Sequence, residues 1–234
     1  MRRIALLLTI AFALSVVGTA LAATPSADDI FTTLKRGFAG VNDYRADVCL
    51  TVKGPSISIN DMRMTVYFKK PNKIHIDAVQ GMAMVPRGSF FGNPMSELAT
   101  GARPVYLRSE SKLGRNCDVL RLSSPTAGPN APAVTLWIDK EHVVIVAMET
   151  SALRQAQHED GGLKTSWRYE KIDGKYYLPV EIRADMCAPG RPNADQPVKA
   201  VIKFTNYHVN KGISDKVFEQ EASKPPPARH WQKH

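Results

Sequence analysis

The chain has 234 residues, 44% of them apolar, and a formal charge of +9 from 31 Lys and Arg against 22 Asp and Glu. That length suits one sizeable all-β domain rather than two small ones. The basic balance favours anionic membrane surfaces or acidic partners, but the basic residues are spread along the strands, which argues against nucleic acid.

Arg2 and Arg3 form a charged start, and Ile4 to Val17 is an apolar run broken only by Thr9 and Ser15. Ala20-Leu21-Ala22 then supplies small residues at a cleavage site, so residues 1–22 read as a secretory signal cut between Ala22 and Ala23. The run is short for a membrane span, and no later segment approaches ~20 apolar residues. No cysteine near the cut suggests a lipid anchor. Loss of the two arginines lowers the charge from +9 to +7. The expected mature protein is periplasmic, monomeric and built from one domain over residues 23–222.

An amphipathic helix comes next. Ser26 suits its cap, Asp28 and Asp29 its positive end, and Gly40 its stop. Ile30, Leu34, Phe38 and Val41 share one face. Period-two strands follow. In YRADVCLTVK, apolar Tyr44, Ala46, Val48, Leu50 and Val52 alternate with polar residues and Cys49. MRMTVYF aligns Met62, Met64, Val66 and Phe68, and IHIDA aligns Ile74, Ile76 and Ala78. Further strands are expected in VYLR from Val105, DVLRL from Asp118, VTLWID from Val134 and HVVIVAMET from His142. KTSWRYEKI and YYLPVEIRADM flank Asp173-Gly174, a hairpin signal, and VKAVIKFTNYHV starts the last strand near Val198. About ten short strands after one helix imply a mainly β protein with a single, strongly curved antiparallel sheet, partly closed into a barrel. The loop APGRPNADQP reads as exposed, and the Pro-rich basic tail over residues 223–234 as disordered.

Chemistry-bearing constellations are missing from the pattern. There is no GxSxG, HExxH, HxH or Gly-rich phosphate loop, and the six histidines show no metal-ligand spacing. His158-Glu159-Asp160 precedes Gly161-Gly162 and reads as a solvated turn. Asp47, Asp77, Glu170 and Glu181 alternate outward and read as a solvated sheet face. The expectation is a non-enzyme with no metal and no cofactor. In an oxidising compartment Cys49, Cys117 and Cys187 imply one disulfide and one free thiol, with three pairings open.

The segment VQGMAMVPRGSFFGNPM, residues 79–95, stands apart. It carries Met82, Met84, Phe90, Phe91 and Met95, yet its prolines and glycines forbid one regular element. Asn93 and Pro94 mark a short helix start that would align Met95 with Leu98. Two readings stay open: a plug of core beneath a long loop, or an adaptable apolar surface for which thioethers are suited.

In order of elements the chain resembles the LolA/LolB-like superfamily of outer-membrane lipoprotein-sorting and carrier proteins. The residues that carry the resemblance are DYRADV after the helix, FKKPNKIHID, and FTNYHVNKGISDKVFE at the end. The resemblance implies a curved, incompletely closed antiparallel barrel with an apolar concave side, a lid of helices and loops, and acyl chains as cargo. In the carrier branch an arginine before the motif proline pairs with the lid. The matching residue here is Lys70, which lacks arginine's planar fork, and the long segment from Val79 to Leu98 replaces the family's usual Asp-Gly-lysine turn. These departures suit a paralogue with another hydrophobic ligand.

The resulting expectation is a binding protein for a lipid, lipoprotein acyl chain or similar apolar ligand. Its concave lining would be Val48, Leu50, Met64, Val66, Phe68, Ile74 and Ile76. Met82, Met84, Phe90, Phe91, Met95 and Leu98 would form the lid, with Lys70 as latch. A curved apolar face favours such a cover, because each large side chain buried contributes ~1.5–3 kcal/mol. The rival is an envelope-sensing or protein-interaction domain with an envelope protein partner, whose barrel is filled by the helix and holds no ligand.

Overall fold

A computed structural model describes residues 26–36, 38, 40–78, 101–123, 133–151, 162–187 and 197–219. The expected signal segment, the Met/Phe segment, the His158-Glu159-Asp160 turn, most of the APGRPNADQP loop and the tail lie outside the described residues.

The first element is α1 (Ala27–Lys35), capped by Ser26, whose side chain accepts from the Asp29 amide at 3.4 Å. It stops at Lys35, earlier than the expected stop at Gly40. Gly40 instead sits at φ +71° in the turn into the sheet, a conformation that suits glycine. Ten strands follow: β1 (Asp43–Gly54), β2 (Ile57–Lys69), β3 (Lys73–Ala78), β4 (Arg103–Lys112), β5 (Arg115–Ser123), β6 (Val134–Asp139), β7 (Ile145–Ser151), β8 (Gly162–Ile172), β9 (Tyr176–Cys187) and β10 (Val198–Val209). A four-residue helix, α2 (Lys216–Glu219), ends the described chain.

All ten strands form one antiparallel sheet in the order β3-β2-β1-β10-β9-β8-β7-β6-β5-β4. Every pairing joins sequence neighbours except β1–β10, which joins the two halves and leaves the consecutive strands β3 and β4 unpaired with each other. The sheet is not closed into a barrel: β3 and β4 are its edges. Five register shifts in the ladders accommodate strong twist and coiling.

The concave face carries the main core. Tyr44, Val48 and Leu50 of β1 meet Met64, Val66 and Phe68 of β2, and the face continues through Ile202, Ile182, Trp167, Leu136 and Leu120. Phe31 and Leu34 of α1 are buried in the same cluster. The helix lies against β4, although it leads directly into β1, so it spans the concavity between the two halves.

A second, smaller core sits on the outer face of β5, β6 and β7, where Cys117, Val119, Trp137, Val146 and Ala147 are buried. The distal end of the β4–β5 hairpin covers it. Trp137 Nε1 donates to Glu110, Lys112 Nζ lies 4.2 Å from the Trp137 ring, and Lys112 pairs with Glu149 on β7 at 3.7 Å.

The expected disulfide is corrected by the structure. Cys49 and Cys117 are both free thiols. The strand order explains this: β1, β5 and β9 are never adjacent to one another.

Candidate functional site

The register brings the expected lining together. Ile74 lies opposite Phe68, which lies opposite Tyr44; Ile76 lies opposite Val66, and Met64 opposite Val48. Val48, Leu50, Met64, Val66 and Phe68 are at most 5% exposed, whereas Ile74 and Ile76, on the edge strand, are half-buried. Period two dictates this: one parity of β1, β2 and β3 is apolar and points to the concave side. The remaining strands supply the rest of that wall, including Ile182, Ile202, Phe204, Trp167 and Leu136. The same alternation in KTSWRYEKI and VKAVIKF signals them, although sequence reasoning named only the first three strands.

Met82, Met84, Phe90, Phe91, Met95 and Leu98 lie outside the described residues. Lys70 is exposed in the β2–β3 turn, and its amide donates to the Asn42 carbonyl at 2.8 Å.

Chain direction gives the two ends of the sheet different characters. The β2–β3, β4–β5, β6–β7 and β8–β9 connections are short and share one end. The β3–β4, β5–β6, β7–β8 and β9–β10 connections share the other, and each is longer. We call this second end the mouth. The β3–β4 connection joins the two edge strands of the sheet, so its sequence carries the chain from one lip of the open barrel to the other.

At the short-turn end the two motifs of the resemblance meet. Asp215 accepts from Lys69 Nζ at 3.0 Å and from Lys73 Nζ at 2.9 Å, and Lys69 also donates to the Ile213 carbonyl at 2.9 Å. These lysines hold the exposed Asp215 carboxyl below its usual range. Asn210, at φ +55°, accepts from the amides of Asn42 (2.7 Å) and Asp43 (3.3 Å) and donates to the Gly40 carbonyl and to Tyr176. The Asp43 carboxylate in turn accepts from the Lys211 and Gly212 amides. The motifs thus fasten the chain end to the junction of α1 and β1.

Two buried carboxylates on β5 and β6 escaped sequence reasoning. Asp118 accepts from Tyr106 and Ser109 and pairs with Lys140 at 3.1 Å. Asp139 pairs with Arg115 and with His142 at 3.3 Å, and accepts from the Glu141 amide at 2.9 Å. Burial opposes its ionisation, yet the Glu141 amide, Arg115 and His142 together hold the carboxyl below the usual range. His142 stacks on Tyr177 with centroids 3.9 Å apart. Asp139 is thus a fully satisfied structural carboxylate. Among the described residues no group of three or more His, Cys, Asp or Glu is placed to hold a metal ion, and no helix is long and apolar enough to cross a membrane.

The outward carboxylates behave as a polar face. An open hollow of about 530 Å³ on the outer side of β1, β2, β3 and β10 is lined by Asp47, Cys49, Arg63, Thr65, Asp77 and Thr205, among others. Asp47 is engaged by Arg45 at 3.2 Å and by Asn206 at 2.9 Å.

No protein-family model and no curated protein sequence matches this chain. Solved structures do match. The chain is similar to a LolA superfamily protein from Nitrosomonas europaea at 13% identity, with 83% of this chain and 98% of that chain covered and a TM-score of 0.56. It is similar to a domain from Vibrio parahaemolyticus assigned to outer membrane lipoprotein sorting at 13% identity, covering 84% and 99% with a TM-score of 0.57. A DUF1329 family protein from Desulfovibrio piger matches at 13% identity, covering 86% and 100% with a TM-score of 0.56. The fold is LolA-like.

Proposed function

We propose that this chain, with its LolA-like fold, is a non-enzymatic periplasmic binding protein for a lipid, a lipoprotein acyl chain or a similar apolar ligand. The observation that carries the reading is the open sheet whose concave face holds the main apolar core and whose edges, β3 and β4, pair with no other strand among the described residues. A sheet that only needed a filled core would have less use for an opening joined lip to lip by a chain rich in Met and Phe. Val48, Leu50, Met64, Val66 and Phe68 form the inner wall against which an alkyl chain packs, with Ile74 and Ile76 at one lip. Met82, Met84, Phe90, Phe91, Met95 and Leu98 supply the adaptable side of the site, and Lys70 stands at the opposite end from the mouth.

Burial of the same lining favours the rival, an envelope-sensing or protein-interaction domain with a solid core. Phe31 and Leu34 of α1 already pack into the face, and the five central lining residues are covered. Ligand entry therefore requires side chains or the helix to give way. The two readings separate by native mass spectrometry of the protein purified from an exporting host, followed by lipid extraction and titration with a fluorescent fatty acid. A carrier shows bound lipid or saturable probe binding with a stoichiometry near one. Neither signal in protein that unfolds cooperatively rules the carrier out and leaves the interaction domain.

A further inference from the structure

We infer that Thr165 is a hydrogen-bonding anchor for the carbonyl of a neutral acyl ester or amide held against the concave face, an inference that rests on the apolar-ligand reading above. Alternation along β8 places Thr165 on the same face as Trp167 and Tyr169, both members of the concave core. Thr165 is only 4% exposed, and among the described residues its Oγ1 has no hydrogen-bond partner. A buried hydroxyl in that state is less stable than a methyl of the same shape, so its position on an apolar wall asks for a partner from outside the fold.

The surroundings define that partner. In register Thr165 faces Met148 on one side and Ala184 on the other; Ala184 faces Ala200, which faces Val52. Three consecutive small side chains thus make a step between Met148 and Val52. The next row away from the mouth is bulky: Trp167, Ile182, Ile202 and Leu50 lie opposite one another. The step sits toward the mouth end of the strands, where the polar linkage of a lipid would come to rest with its alkyl chain running inward over Ile182 and Ile202. No residue of this row is charged. A free carboxylate there would be buried without a counter-ion, whereas an ester or amide carbonyl needs only the one donor that Thr165 offers. A pure hydrocarbon leaves that donor as it is in the free protein and gains nothing from it, whereas a carbonyl gains the bond.

The test uses two probes of matched apolar bulk: the methyl ester of a pyrene-terminated fatty acid, and the pyrene-terminated alkane of the same chain length. Both are titrated by fluorescence onto the parent protein, Thr165→Val and Thr165→Ser. Thr165→Val should weaken ester binding about tenfold, the upper range for one net hydrogen bond. Alkane binding should stay equal or tighten, and Tm should not fall. Thr165→Ser, which keeps the hydroxyl, should retain the preference for the ester. If Thr165→Val changes both probes equally, leaves ester binding intact or lowers Tm, the anchor is wrong while the apolar-ligand reading stands. If neither probe binds the parent protein saturably, the underlying reading fails and the anchor with it.

Discussion

Asp139 shows how far single residues were legible. It ends the strand VTLWID as an ordinary polar residue, yet it is 3% exposed, with Arg115, His142 and the Glu141 amide around it. Those partners come from the far end of a hairpin and from the next turn, so no local pattern announces them. Its folded pKa is lowered, so its contribution is present above the unfolded value of about 4 and is lost as pH falls through the folded value. Asp139→Asn should lower stability at neutral pH by about 1.5–3 kcal/mol, the range for hydrogen bonds to a charged group. Urea denaturation of parent and variant should converge as pH drops below about 4; a constant gap would mean that the carboxylate's charge contributes nothing. Thr165 was similarly hidden, although the inward parity of Trp167 and Tyr169 was enough to point at it. The cysteines misled for a different reason. Compartment and count say nothing of which strands are neighbours, and the strand order keeps all three apart.

Elements were more legible than residues, because a sheet with one wet face writes its pattern directly into the chain. Every expected strand is present, and VTLWID is β6 to the residue. β7 begins at Ile145 rather than His142, because residues 140–144 form the turn and Val143 takes a positive φ of 50°. The second apolar face of β5 and β6 was the other surprise: Val119 and Trp137 look outward by parity but are roofed by the hairpin. The short-turn end was visible only as a motif, and the structure gives it a mechanical role. Asn210 holds four hydrogen bonds at a left-handed position. Asn210→Ala should cost about 2–4 kcal/mol through lost bonds and backbone strain. Asn210→Gly should recover about 1 kcal/mol of that, since glycine accepts the same φ. Equal denaturation midpoints for Ala and Gly variants would show that backbone strain is not part of the cost.

At the scale of the whole molecule, one topological fact joins the fold to the proposed function. Antiparallel meandering alternates the connections between two ends, and here the longer ones all fall at the mouth. The chain between β3 and β4 also links the sheet's two edges. Sequence reasoning could see its Met and Phe content, but the pairing of β1 with β10, which sends β3 and β4 to opposite edges, is a long-range contact with no local signature. On the proposed function, Phe90 and Phe91 cover the ligand rather than support the sheet. The double variant Phe90→Ala, Phe91→Ala should then weaken binding of a fluorescent fatty acid while its urea midpoint stays close to the parent's, since a cover that opens belongs to the least stable part of a structure. Two rings of ordinary core would behave otherwise, each truncation removing about 3–5 kcal/mol of folding stability and binding failing only as the protein unfolds. Probe titration and denaturation on the same variant separate these outcomes. A large fall in midpoint assigns both rings to the core and removes them from the site, whereas weakened binding by a stable variant places them over the ligand.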